Sequence, residues 1–326
     1  MNDRADVTET QFDFDLGPAD VATEAEDRAI PLGEDAGLDR YARVELLKEE
    51  REIAARFHGG PMWGYVAAAF GGFALWVALF PLTMFGVVHP LITLAVSTFL
   101  TTAGYVTCHE AMHGNIAQRG DKNFWMNKWV GEVSLLPIAV PFSMGRITHL
   151  EHHKHCNDPL KDPDYTDEAP NMLAAWYKTW WNRQPRVDGT INRYKTVCEE
   201  LDTEESRLAL KQTLLLQMFY LATLFTMAWS GYAIAAAVCW WLPRQLGLSW
   251  IRFFLSWAPH HPREGHTGRY DQAYIFKSKV GHFWSMCMET HLIHHLYPGI
   301  PNHRTRQAYF ALKPILEKRG VDCSAL

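Results

Sequence analysis

Two stretches of this 326-residue chain are almost wholly apolar, and the segments around them are polar or mixed. From Met62 to Phe80 (MWGYVAAAFGGFALWVALF), and again after Pro81 from Leu82 to Thr107, apolar residues occupy every helical face. A half-buried helix of a water-soluble protein would keep a polar stripe. Each run approaches the roughly 20 residues that a helix needs to cross a bilayer. The pattern predicts a membrane hairpin over about 62–107, turning between Pro81 and Pro90. A second apolar stretch, 212–243, predicts another hairpin turning near Ser230 and Gly231. Its returning limb barely crosses if it stops at Pro243. Two readings therefore stand for GLSWIRFFLSW (247–257): it extends that limb, or it lies along the interface with Arg252 snorkelling to the water.

The charges sharpen this picture. Of 31 lysines and arginines, seven precede residue 60, thirteen fall within 119–211 and eleven follow residue 243; residues 57–118 and 212–243 carry none. Basic segments stay on the cytoplasmic side, so both termini and the 119–211 segment are expected there. The fold expected is an all-α integral membrane protein, with four transmembrane helices in two hairpins, in a bacterial inner membrane. Mean hydropathy is only -0.17 because large charged segments dilute the apolar runs, and a net charge of -5 gives no case for nucleic acid.

Residues 1–40 are acidic and lack both the basic start and the apolar core of a secretory signal; they read as a disordered tail ahead of a membrane domain over 41–326. A helix rich in Arg, Glu and Leu is expected over 39–57. The six cysteines show no paired spacing and are expected to stay reduced. WVGEVSLLPIAVPF (129–142), interrupted by Pro137 and Pro141, and AAWYKTWWNR (174–183) read as stretches lying on the membrane, the alternative being packing against the cytoplasmic part.

Histidine placement carries the chemistry. Eight of 16 histidines fall in three groups: His109 and His113 in TCHEAMHGN; His149, His152 and His153 in THLEHHKH; His291, His294 and His295 in ETHLIHHLYPG. Residues i, i+3 and i+4 share a helix face, so each group presents its imidazoles together. The first group also fits H-E-x-x-H, in which two histidines hold zinc and the glutamate is the base of a protease. Zinc, however, needs three or four ligands. Eight converging imidazoles would be costly to bury unpaired and would repel one another if protonated, and shared metal ions remove both problems. Two metals follow, and iron is favoured because imidazole suits it and oxygen chemistry needs a metal that changes oxidation state. Glu110 is then expected to support a ligand rather than to act as a proteolytic base.

The triple pattern H-x-x-x-H, H-x-x-H-H, H-x-x-H-H, placed after two membrane hairpins, resembles the membrane-bound di-iron fatty acid desaturase superfamily from about Trp63 to Pro314. The resemblance implies a cytoplasmic helical cap carrying two iron ions (Fe2+/Fe3+). It also implies O2 as co-substrate and removal of hydrogen from, or insertion of oxygen at, an unactivated C–H bond. It implies a ninth ligand after the second hairpin: His260 is preferred, with His261 and His266 as rivals in PHHPREGHTGRY. In CNDPLKDPDY, the residues Asn157, Asp158, Asp162 and Asp164 look like the family's turn signals; they either orient ligand imidazoles or serve only as turn formers.

The substrate expected is a lipid, with fatty acyl desaturation first. Carotenoid β-ring hydroxylation is the alternative, since the segment 259–269 resembles bacterial members associated with it. Without haem, ferredoxin or nucleotide motifs, electrons are expected from a separate ferredoxin or cytochrome with its reductase. Outside that class stand a zinc protease and a membrane metal transporter. Transport sites lie near the bilayer midplane, whereas these histidines follow helix ends.

Overall fold

The computed structural model describes residues 40–184, 187–261 and 266–326, which are helical with no strand among them. All but the last residue of the acidic segment 1–40, and the centre of 259–269, lie outside the described residues. Helix α1 spans Arg40–Ala55, α2 Trp63–Met84 and α3 Pro90–Met112. The first hairpin turns within the stretch between Pro81 and Pro90, as the sequence pattern predicts. Pro81 sits inside α2, and the turn runs from Phe85 to His89. Pro81 has no amide to donate to the carbonyl four residues before it, but its own carbonyl accepts from Phe85 N at 2.9 Å and the helix closes there. His89 Nδ1 accepts from Leu91 N, and Pro90 opens α3 at the position that needs no donor.

The segment 129–142 forms α4 (Met126–Leu135) and a 3-10 turn, Leu136–Ile138. The chain then bends by 97° into α5, Phe142–His155. The bend is tight enough that a Cβ on Gly131 would lie 2.1 Å from the Phe142 ring. Helix α6 (Met172–Trp181) packs on the rest of the chain through Trp176, which stacks on Phe253 at 4.8 Å, whereas Tyr177 and Trp180 are exposed. Helix α7 spans Thr190–Leu201, and α8, Glu204–Trp229, opens with a capping box between Thr203 and Ser206.

The second hairpin turns at 230–232, and its returning limb does not stop at Pro243. Residues 233–260 are helical throughout and are called α9 here, with π-helical turns at Ala237–Trp241 and Arg252–Trp257. The segment 247–257 therefore continues the helix of that limb. Arg252 does not snorkel: it is buried, its Nη1 2.8 Å from Asp164 Oδ1 and its Nε 2.5 Å from Asp167 Oδ2. Two carboxylates offset its desolvation better than a distant interface could. Gly247 lets α9 approach α3, where a Cβ would lie 2.9 Å from Thr101 Cγ2.

Helices α2, α3 and α8 are long and apolar enough to cross a membrane, and the bent pair α4–α5 makes a fourth if counted as one span. Helix α10 (His291–Leu296) and α11 (Asn302–Lys318) close the chain, and α11 packs beside α1.

Candidate metal centre

The three histidine groups come from the end of α3, from α5 and from α10, and the structure brings them together with His260 at the end of α9. Their ring nitrogens divide into two sets. In the first, His113 Nε2 lies 2.7 Å from His149 Nε2, which lies 3.2 Å from His153 Nε2, which lies 3.1 Å from His294 Nε2. His109 completes this set, its ring centroid 4.3 Å from that of His294 and 4.7 Å from that of His149. In the second, His152 Nε2 lies 3.3 Å from His260 Nε2, and His291 Nε2 lies 3.2 Å from His295 Nε2. The rings of His260 and His295 are 4.7 Å apart, joining the two pairs.

The spelling H-x-x-H-H explains the division. On a helix, positions i and i+4 point nearly alike while i+3 points about 100° from i+4. In α5, His149 and His153 accordingly serve the first set and His152 the second; in α10, His291 and His295 serve the second and His294 the first.

Hydrogen bonds alone cannot satisfy this arrangement. A ring nitrogen either carries one proton or accepts. Along the run His113, His149, His153, His294, no assignment of protons satisfies all three Nε2 contacts, so at least one pair meets without a proton between them. Both ring nitrogens of His109, and Nδ1 of His291 and His295, are buried without a hydrogen-bond partner. Protonation is no escape, since burial first and neighbouring imidazoles second hold His113, His294 and His295 well below 6.5. Cations placed within the two sets would satisfy the Nε2 lone pairs that face one another, so the donors present fit a pair of metal ions.

Behind the rings stand groups that fix their orientation. His152 Nδ1 donates to Asp162 Oδ1 at 2.9 Å, and Asp162 is held by the amides of Asn157 and Asp164. His260 Nδ1 donates to the Gln272 carbonyl at 2.9 Å. Asn157, in the left-handed region with φ 64°, donates through Nδ2 to the carbonyls of Gln272 and His266, so it acts on His260 through the loop beyond it. Asp158 is a turn former: its Oδ1 accepts from the amides of Leu160 and Lys161. Asp164 pairs with Arg252 and Tyr194 rather than with an imidazole. Of the rivals to His260, His261 is buried against the Tyr165 ring, and His266 pairs with Asp271.

Glu110 is buried, with Oε1 3.6 Å from His109 Nδ1. Its Oε2 accepts from Asn115 Nδ2, which also donates to the Pro298 carbonyl. That anchorage ties the first histidine group to the loop after the third and engages one of the two carboxylate oxygens.

Sequence reasoning did not single out Cys156. Its Sγ lies 3.3 Å from His260 Nδ1 and within the second set, and its place four residues after His152, on the same face of α5, was the available signal. A large apolar cavity of about 830 Å³ lies beside the first set. Ala95, Thr98, Phe99, Thr102, Val106 and Thr107 form one wall, a descent of about 18 Å along α3. Thr107 lies two residues before His109, while Tyr65, Trp250, Trp284, Met286 and Cys287 contribute other walls.

Residues 86–326 match the family described as fatty acid desaturase. The chain belongs to that family. Among its relatives are a zeaxanthin 4-ketolase of Chlamydomonas reinhardtii, 28% identical over 210 residues (62% of this chain and 40% of that one), and an sn-1 oleoyl-lipid 12-desaturase of a Picosynechococcus species, 25% identical over 236 residues (65% of each). A beta-carotene 4-ketolase of Haematococcus lacustris is 34% identical over 93 residues, 28% of each chain. The chain thus spans 40% and 65% of the lengths of the first two. Family membership makes this chain a membrane oxidoreductase homologue whose relatives modify lipids or carotenoids.

Proposed function

We propose that this desaturase-family protein is an O2-dependent oxidoreductase that acts on an unactivated C–H bond of a membrane lipid through two iron ions, with fatty acyl desaturation as its reaction. The observation that carries the proposal is the division of nine imidazoles into two sets whose facing ring nitrogens cannot all be hydrogen-bonded to one another. His109, His113, His149, His153 and His294 would hold one ion; His152, His260, His291 and His295 would hold the other. When bound, the irons supply the capacity to use O2 and two electrons against a C–H bond. Asp162 and the Gln272 carbonyl keep the protons of His152 and His260 on Nδ1, leaving each Nε2 lone pair free.

The apolar cavity supports a hydrocarbon substrate, which would enter sideways from the bilayer. A carotenoid ring is the second reading, favoured by the aromatic walls (Tyr65, Phe99, Trp176, Trp250, Phe283, Trp284) and by the ketolases among the relatives. The topology that suits this chemistry has α2, α3, α8 and α9 as four spans, both termini and the imidazoles on the cytoplasmic face, and electrons arriving from a separate ferredoxin or cytochrome. The zinc protease is disfavoured by the anchored Glu110. The transporter is disfavoured because the imidazoles cluster at helix ends.

The test is metal analysis of the purified protein with lipid and pigment profiling of cells that contain both substrate classes. About two irons per chain and a new unsaturated acyl chain or oxidised pigment are expected. One zinc per chain, with Glu110→Gln inactive and His294→Ala active, would return the protease.

A further inference from the structure

The apolar cavity stops short of the imidazoles, for none of its lining residues belongs to either set. What stands at the boundary is a turn with an uncommon backbone. Met286 (φ 59°) and Cys287 (φ 64°) are consecutive non-glycine residues in the left-handed region, where the Cβ of an L residue crowds the following carbonyl. Both line the cavity. Met286 packs in the same core as Cys108, Ala111 and Met112, the neighbours of His109 on α3. Burial first, then the charges of Glu110 and Glu289, push the Cys287 thiol up to about 11.

The turn is pinned from three directions. Asn302 Nδ2 donates to the Met286 carbonyl at 3.1 Å, and Trp250 Nε1 donates to the Trp284 carbonyl at 2.9 Å. Glu289 is buried and accepts from Ser278 N and His282 Nδ1, both at 2.9 Å, with Arg306 Nη1 3.5 Å away. Backbone strain persists only where the surroundings over-determine it, and it concentrates at clamps and switches. Here it lies on the boundary that a substrate carbon has to pass.

We propose that the Met286–Cys287 turn is the gate between the membrane cavity and the imidazole sets, and that the Met286 side chain selects which carbon of an apolar hydrocarbon substrate reaches them. The selection rests on the oxidoreductase reading above; the gate itself does not. Asn302 is the latch. Releasing the Met286 carbonyl lets the turn relax, and shortening Met286 widens the passage.

The test uses the full chain, purified with its iron, in dioleoyl phosphatidylcholine vesicles with and without β-carotene, supplied with O2 and with NADPH, ferredoxin and ferredoxin reductase as the electron source. Cys287 is the one partly accessible cysteine of the six, the others being buried. Its labelling by N-cyclohexylmaleimide reports the gate, at about pH 9 because the thiolate is the reactive form. Cys287→Gly, a residue suited to φ 64°, supplies the unlabelled background. Asn302→Ala and Met286→Ala should each label at least about fivefold faster than the native chain, as expected when a minor open state is made common. Met286→Ala should also shift the ratio of positional products by about tenfold, the scale on which small changes in an apolar pocket discriminate. Unchanged labelling in both variants overturns the gate, whatever the metal content. Faster labelling with an unchanged product ratio overturns the selecting role of Met286. If the oxidoreductase reading itself fails, the native chain gives no product, while the labelling comparison still decides the gate.

Discussion

The least replaceable contact outside the imidazoles is a buried ion pair that ties both ends of the described chain to the third histidine group. Glu50 on α1 and Arg319 after α11 are both fully buried, with Nε 3.0 Å from Oε2. Tyr297, two residues beyond His295, donates to Glu50 Oε1 at 2.7 Å, and Tyr270 donates to Oε2 at 2.9 Å. The Arg319 guanidinium also lies 4.6 Å from the centre of the Tyr270 ring. Replacing Glu50 by alanine removes the acceptor of two hydroxyls and strands a guanidinium where water cannot reach it. Breaking a buried pair on one side costs about 3–5 kcal/mol. The two lost hydroxyl bonds to a carboxylate, at about 1.5–3 kcal/mol each, sum to about 3–6 kcal/mol, which spans that range. At about 1.4 kcal/mol per decade, the equilibrium constant for opening of α1 and α11 should rise by two to three orders of magnitude. Hydrogen exchange of those helices in detergent micelles is the direct assay, with thermal midpoint and iron per chain alongside. Because Tyr297 anchors the end of α10, iron should be lost in step with protection. In Glu50→Met with Arg319→Met no charge is stranded, so the double variant should lose less than the sum of the single ones. Additive losses, or a change in protection below about tenfold for Glu50→Ala, would show that the pair is not what holds this corner together.

Other consequences are narrower. Asp162→Asn should lower iron affinity about 10- to 100-fold by releasing His152, with helix content unchanged; metal titration followed by absorbance checks it. Acidification should destabilise the metal-free protein. With His113, His294 and His295 held well below 6.5, the unfolded chain binds more protons below that pH, so the thermal midpoint should fall as pH drops below about 6.5, while His152, raised by Asp162, loses its own contribution as pH rises above it. A midpoint that rises on acidification below that pH contradicts the burial of neutral imidazoles. Deleting Leu255 from the π-helical turn 252–257 should rotate His260 by roughly 100° and cost the iron of the second set, while the first set keeps its own. Two irons retained per chain in that deletion would disprove the link between the turn and the ligand.

Much of this was legible in the sequence because it rested on periodicity. The apolar runs that end near Thr107 and begin near Gln212 correspond to α3 and α8, and the three histidine groups converge because i, i+3 and i+4 spacing is a local property. What was not legible depended on long-range partners. Nothing near Arg252 announces Asp164 and Asp167, which lie 88 and 85 positions earlier, so an arginine in an apolar segment read naturally as a snorkelling one. Pro81 and Pro243 read as stops, yet each sits in a helix whose disturbed turn is absorbed by its surroundings. The turn residues of CNDPLKDPDY show the limit within one motif. Asp158 and Asp162 have the same composition signal, and only the fold sends one to the amides of Leu160 and Lys161 and the other to His152.

Helix α9 shows why the ninth histidine was the hardest to place. In a regular α-helix eight residues advance about 800°, which would leave Arg252 and His260 about 80° apart, whereas one extra residue in a π turn sets the helix back about 100° and brings them within roughly 20°. The structure has that turn at Arg252–Trp257, and both side chains face inward: Arg252 to Asp164 and Asp167, His260 to His152. The loop carrying Asp162 and Asp164 therefore meets α9 twice, once through a carboxylate on Arg252 and once through the Asp162–His152 pair that faces His260. A helix-period reading of SWIRFFLSWAPHH puts one of these two residues on the wrong face whichever way it is turned. Arg252 thus bears on the imidazole cluster without touching it: its ion pairs belong to the same helix register in which His260, and not its neighbour His261, points at the imidazoles of α5 and α10.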